Sequence, residues 1–172
     1  DPGGIGKGLA ADLAVAQLVG EGVDGALVEI GGDLASTGTS IDPAGWLVDV
    51  EHSDPSAGLL CRLAVTGGGV ATSSVRSRRW TQDGVERHHQ IDPATGACSM
   101  TDLVAVTVIA PCGWMAEVHA TAALAMGRDQ AITYLDGHGL SGIAVAMTPI
   151  GDQVWTTRDL ADIEFDVRSG VS

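Results

Sequence analysis

The sequence predicts a single mixed α/β domain of the α+β kind, with more strands than helices. Short segments rich in Val, Ile, Leu and Thr recur between glycine turns, and only a few stretches carry apolar residues at helical spacing. No linker-like stretch divides the chain, and 172 residues suit one domain with a real core. Hydrophobic residues make up 45% of the chain and charged residues 18%, a globular rather than a disordered balance.

Asp1 to Gly8 reads as a glycine-rich loop. Leu9 to Val19 follows with Ala, Leu and Val at helical spacing, stopped by Gly20 and Gly22. Ala26 to Ile30 reads as a strand running into a Gly31-Gly32-Asp33 turn. Trp46 to Glu51 and Leu59 to Val65 are further strands, and Val70 to Ser74 is a short one after Gly67-Gly68-Gly69. Asp83-Gly84 between two extended segments is a tight-hairpin signature. The second arm delivers His88 and His89 into Ile91 to Gly96, which has the composition of a turn. Leu103 to Ala110 is dense in Val, Thr and Ile and is the strongest strand. Helices are expected from Trp114 to Met126 and near Gln130 to Leu135, then strands at Gly142 to Met147, Val154 to Thr157 and Ile163 to Val167.

Charge narrows the function classes. The formal net charge is −13 with one lysine, Lys7, which argues against nucleic acid as a partner, since phosphate backbones reward dense basic surfaces. Four of the arginines, Arg76, Arg78, Arg79 and Arg87, gather around the expected hairpin, where they either meet a small phosphorylated ligand or decorate a solvated surface. Three cysteines, Cys61, Cys98 and Cys112, lack zinc-site spacing. No apolar run reaches the length of a bilayer span, and no signal peptide is seen; the opening Asp1-Pro2-Gly3-Gly4 suggests a true N-terminus upstream.

Four constellations could carry chemistry. Gly3 to Gly8 ahead of a helix suits an anion, because glycines let the backbone approach and the first helical N–H groups lack partners; a purely structural loop fits equally well. Glu29, Gly31, Gly32 and Asp33 end a strand with carboxylates beside a compact turn, open to a nucleotide or ribityl chain or simply shaping the turn. Glu117 and Thr121 stand four apart on one helix face and offer the hard oxygen donors that magnesium prefers, or else form an exposed polar stripe. His88, His89, Asp92 and Thr95 cluster around a turn, where a histidine near a carboxylate can accept a proton around neutral pH.

In combination these segments resemble the ApbE family of FAD:protein FMN transferases. The resemblance rests on Asp1-Pro-Gly-Gly-Ile-Gly-Lys-Gly8, Ala26-Leu-Val-Glu-Ile-Gly-Gly-Asp33, Val70-Ala-Thr-Ser73, His89-Gln-Ile-Asp-Pro-Ala-Thr-Gly96 and Glu117-Val-His-Ala-Thr121 with the Ala122 to Gly127 stretch, in family order. It implies a T-fold-related single domain, of which residues 1–172 are the central and C-terminal part, with the family's N-terminal portion missing. Such enzymes bind FAD and Mg²⁺, transfer FMN to a Thr or Ser hydroxyl of an acceptor protein, and release AMP. They are often exported and membrane-tethered, which implies an extracytoplasmic or membrane-associated location.

The resemblance also assigns roles. Glu117 and Thr121 would hold magnesium together with a backbone carbonyl near Gly6; Gly4, Gly6 and Lys7 would lie by the pyrophosphate. Glu29, Gly31, Gly32, Asp33, Thr72 and Ser73 would line the flavin site. His89, rather than His88, has the family spacing to Asp92-Pro93 and would stand beside the reacting phosphate, with Asp92 as its neighbour. Glu117 stands where the family usually has aspartate, Glu29 where it has asparagine or aspartate, and Gln90 and Ser74 replace an apolar residue and a glycine. A flavin carrier without transfer and a metal-dependent hydrolase splitting FAD into FMN and AMP are the alternatives.

Overall fold

The computed structural model describes residues 2–52, 56, 58–76, 78–149 and 151–161. Ten strands and three α-helices build it: α1 (Gly6–Gly20), β1 (Gly25–Ile30), β2 (Asp33–Gly38), β3 (Trp46–Glu51), β4 (Leu59–Val65), β5 (Gly68–Ser74), β6 (Arg79–Gln82), β7 (Val85–His88), β8 (Ala105–Ala110), α2 (Gly113–Met126), α3 (Arg128–Gly137), β9 (Ser141–Thr148) and β10 (Gly151–Thr156) among the described residues. Six strands form one antiparallel sheet in the order β1-β2-β5-β8-β9-β10, while β3-β4 and β6-β7 are separate two-stranded ribbons. The mixed α/β expectation holds.

Three layers follow from strand alternation. Val106, Val108 and Ala110 of β8 and Ala71 of β5 face α2 and α3, where they meet Ala116, Ala120, Leu124 and Leu135. Ala11 and Val15 of α1 close on Ala26 and Ala35 at the other end of the same face. Leu34, Val70, Ile143 and Val145 point the opposite way, onto Val48, Val50, Leu60 and Leu63 of the β3-β4 ribbon. The small helix-side residues let the helices lie close to the sheet and to each other.

Several expectations shift. The predicted loop over residues 1–8 is a short 3-10 turn at Pro2–Gly4 followed directly by α1, so Gly6, Lys7 and Gly8 are helical. Glycine there serves proximity, not looping: a Cβ on Gly8 would stand 2.3 Å from the carbonyl oxygen of Gly113. β5 begins at Gly68 instead of Val70 for the same reason, since a Cβ on Gly69 would lie 2.3 Å from the Gly113 nitrogen. β2 had no counterpart in the sequence reading, because Asp-Leu-Ala-Ser-Thr-Gly lacks a β-branched run and is held by pairing with both β1 and β5. The expected strand from Leu103 starts at Ala105, and the short helix extends over Arg128–Gly137. Asp83-Gly84 does close a hairpin, with Gln82 opposite Val85 and positive φ at both turn residues. The strand expected at Ile163 to Val167 lies outside the described residues.

Candidate functional site

The first turns of α1 and α2 meet over the end of β2. α2 has no side chain of its own capping its N-terminus. Asp12 of α1 does that work from a distance: its Oδ1 accepts from Gly113 N at 2.8 Å and its Oδ2 from Trp114 N at 2.9 Å. Two of the four orphan donors of α2 are thereby satisfied and a negative charge sits at the positive end of its dipole. Helix register then carries Glu117 inward, and the Gly8 amide in the first turn of α1 donates to Glu117 Oε2 at 2.9 Å.

Lys7 completes this polar group. Its ammonium lies 2.5 Å from Asp33 Oδ2 and 3.8 Å from Glu117 Oε1. Asp33 and Glu117 are 1% and 3% exposed, so two carboxylates are buried around one cation. Asp33 is placed by the Gly31-Gly32 turn, whose positive φ angles let Ile30 pair directly with Asp33. Its Oδ1 also accepts from Thr72 N at 3.4 Å. Burial pushes the Glu117 carboxyl above its ordinary pKa; the Gly8 N–H and Lys7 oppose this, and Asp33 adds to it. Glu117 Oε1 is buried with no hydrogen-bond partner among the described residues.

Thr121, one turn beyond Glu117, shares a 2.9 Å hydroxyl contact with Ser73 of β5. Thr72 and Ser73, which the sequence reading placed together on the flavin site, alternate to opposite faces of the sheet. Ser73 joins Thr121 beneath α2, whereas Thr72 bonds Thr107 through their hydroxyls at 2.8 Å on the other face. There they line a cleft of about 430 Å³ between the sheet and the β3-β4 ribbon, with Leu27, Glu29, Leu34 and Val50 among its walls. Gly32 also lines this cleft. Helix-side carboxylates and cleft are therefore back to back, joined through the Gly31-Gly32 turn and the Thr72 amide.

The remaining predicted residues lie elsewhere or do other work. Glu29 accepts from Gly32 N at 2.8 Å and so braces the turn while its strand lines the cleft. Gly4 ends the 3-10 turn leading into α1. His88 ends β7 and its Nε2 meets the Ser99 carbonyl at 3.1 Å; His89 lies just past the strand, half-buried, 3.3 Å from Gln90 Nε2. Asp92 directs Oδ1 to Ala94 N at 2.9 Å and Oδ2 to the Thr95 hydroxyl at 3.0 Å, building its own turn. Sequence reasoning missed Asp12 and Thr107, and it offered the Gly3 to Gly8 amides to an external anion, whereas the Gly8 amide meets Glu117. Asp12 lies one helical turn beyond Gly8, a spacing that could have flagged it; Thr107 gave no signal within its apolar strand. Among the described residues no group of three or more His, Cys, Asp or Glu forms a metal cage.

Comparison with known proteins bears on this arrangement. The FAD:protein FMN transferase of Salmonella typhimurium is 30% identical over 152 residues, which are 88% of this chain and 43% of that protein. That of Treponema pallidum is 32% identical over 145 residues, 78% of this chain and 40% of its own length. Among solved structures, the ApbE protein of Thermotoga maritima matches with a TM-score of 0.82 at 27% identity, covering 93% of this chain and 52% of that one. The apo form of the Pseudomonas stutzeri flavinyl transferase ApbE gives 0.79 at 27% identity, covering 95% and 50%. The chain spans less than half the length of these curated relatives. A family model described as the ApbE family matches residues 1–146, and the chain belongs to that family.

Proposed function

We propose that this chain carries the chemical centre of an FAD:protein FMN transferase, which moves FMN from FAD onto a Thr or Ser hydroxyl of an acceptor protein and releases AMP. The observation that carries the reading is the part-exposed Lys7 ammonium held against the buried carboxylates of Asp33 and Glu117, set behind an open cleft at the Thr72 edge. A pyrophosphate is a charged group that needs cations and N–H donors, and the first turn of α1 offers Lys7 with neighbouring amides. The cleft offers Leu27, Leu34, Val48 and Val70 to a flat ring, hydroxyls at Thr72 and Thr107, and carboxylates at Glu29, Asp49 and Glu51.

The residues fit magnesium in chemistry. Glu117 Oε1 is buried without a hydrogen bond, and Thr121 adds a hydroxyl on the same helix face. Magnesium commonly takes one or two carboxylates and completes its shell with water and substrate phosphates, so a preformed cage is not required. Glu117 and Thr121 would hold it, with a carbonyl near Gly6. When bound, the ion would offset negative charge on the pyrophosphate oxygens.

The chain's own groups then divide the work. Lys7, Gly4 and Gly6 orient the pyrophosphate, while Glu29, Gly32 and Thr72 line the flavin side and Gly31 with Asp33 forms the turn that joins the two faces; Ser73 steadies Thr121. The acceptor hydroxyl oxygen bonds to the phosphorus on the FMN side as the bridging P–O bond to AMP breaks. On the family pattern His89, which stands apart from the carboxylates, would take the hydroxyl proton, in a loop shaped by Asp92. Among the described residues no helix is long and apolar enough to cross a membrane; placement outside the cytoplasm or at a membrane is part of this proposal and rests on family habit. Mass spectrometry of acceptor proteins incubated with the chain, FAD and Mg²⁺ tests the reading: an added FMN mass on Thr or Ser supports it, and no added mass rejects it.

A further inference from the structure

A second cluster lies where α2 and α3 pack, apart from the carboxylates. His119 of α2, Tyr134 of α3 and His138 at the end of α3 form a triangle of rings, with centroids 5.6 Å apart for His119 and Tyr134, 4.3 Å for Tyr134 and His138, and 5.2 Å for the two histidines. Tyr134 holds both imidazoles by the same ring atom. Its phenol oxygen lies 2.7 Å from His119 Nδ1, and its backbone carbonyl lies 2.8 Å from His138 Nδ1.

This arrangement fixes which nitrogens remain. A carbonyl accepts only, so His138 Nδ1 carries a proton, and in the neutral ring its Nε2 then presents a lone pair. His119 is placed in the same tautomer when its Nδ1 donates to the phenol oxygen. Neither Nε2 has a protein partner among the described residues, and neither is among the buried unsatisfied atoms. Metal-binding histidines characteristically have Nδ1 anchored to an oxygen and the other nitrogen on the ion. The spacing also suits an ion: zinc–nitrogen bonds of about 2.1 Å put each ring centre about 3.2 Å from the metal, and tetrahedral angles then separate the centres by about 5 Å.

We propose that His119 and His138 form a binding site for a borderline divalent cation of the zinc class, with water completing the shell and Tyr134 as the orienting residue. The imidazole donors distinguish this site from the oxygen donors at Glu117 and Thr121, because magnesium prefers hard oxygen. An ion held here would pin the outer face of α2 to the end of α3. Nothing in the proposal depends on flavin transfer.

Calorimetric titration of the untagged, metal-stripped protein with Zn²⁺, in excess Mg²⁺, tests it. One Zn²⁺ is expected per chain at this site, undisturbed by Mg²⁺. His119→Ala and His138→Ala each weaken it by more than about tenfold, and Tyr134→Phe by about tenfold, the scale for losing an outer-sphere partner. His138→Gln, on an exposed residue, serves as the second ligand variant if His119→Ala alters the circular dichroism spectrum. Absence of Zn²⁺ uptake by the wild-type protein overturns the proposal, as does uptake that the folded His138 variants leave unchanged.

Discussion

The amide of Gly8 donates a 2.9 Å hydrogen bond to Glu117 Oε2, across 109 residues of sequence. Both partners lie near the starts of their helices, and backbone proximity at Gly8 and Gly113 makes the contact reachable. One carboxylate oxygen is thereby spent on structure and the other is left facing Lys7. That division explains how a glutamate can be buried on a helix rich in alanine without a full ion pair of its own.

Glu117→Gln separates the two roles. The amide oxygen can still accept from Gly8, so the urea midpoint should stay near that of the wild type. Mg²⁺-dependent release of AMP from FAD should fall by at least about a hundredfold, the scale for losing a group that stabilises developing charge. An unchanged rate would remove Glu117 from the metal assignment.

Asp12→Ala strips the cap from α2. Two amides lose their acceptor, and a loss of about 1–2 kcal/mol in unfolding free energy is expected from denaturant titration. Asp12→Asn, which keeps an acceptor oxygen, should cost less. Equal stability of Asp12→Ala and the wild type would show that the cap is idle.

Gly69→Ala tests the close approach of sheet and helix. The new methyl would meet Gly113 backbone at 2.3 Å, and backbone cannot swing aside, so a loss of about 1–3 kcal/mol is expected. Gly20→Ala, at the end of α1 with nothing within 4 Å, should instead be neutral or slightly stabilising. Thermal melts of the two variants side by side give the comparison.

Cysteine labelling reads the β3-β4 layer. Cys61 is 4% exposed, and burial with the nearby Asp49 charge pushes its thiol up to about 11. Little thiolate exists at pH 8, so iodoacetamide followed by peptide mass spectrometry should modify half-buried Cys98 and Cys112 well before Cys61. Equal labelling would mean that the ribbon does not stay closed over the sheet.

The sequence was most legible where local chemistry and fold agreed. The Asp83-Gly84 hairpin, the apolar run ending at Ala110 and the helix bearing Glu117 and Thr121 each had a pattern that tertiary structure kept. Glycine misled at Gly6 to Gly8 and at Gly68-Gly69, because the chain uses it for close packing inside regular elements. β2 was invisible because pairing on both sides, not side-chain preference, makes Asp33 to Gly38 a strand. Within the candidate site, Lys7, Asp33 and Glu117 come together, but the opposite faces of Thr72 and Ser73 and the cap from Asp12 emerge only from packing.

The central claim is that the Lys7, Asp33 and Glu117 group serves the metal-assisted transfer of FMN from the pyrophosphate of FAD to an acceptor hydroxyl. The most direct measurement is titration of the chain with FAD, with and without Mg²⁺, followed by chromatography for FMN and AMP in the presence of a Thr-bearing acceptor protein. The account predicts FAD binding, AMP release that requires Mg²⁺, and FMN recovered on the acceptor. FAD bound with no AMP formed would contradict it and leave a carrier; AMP formed with all FMN free in solution would contradict it in favour of hydrolysis.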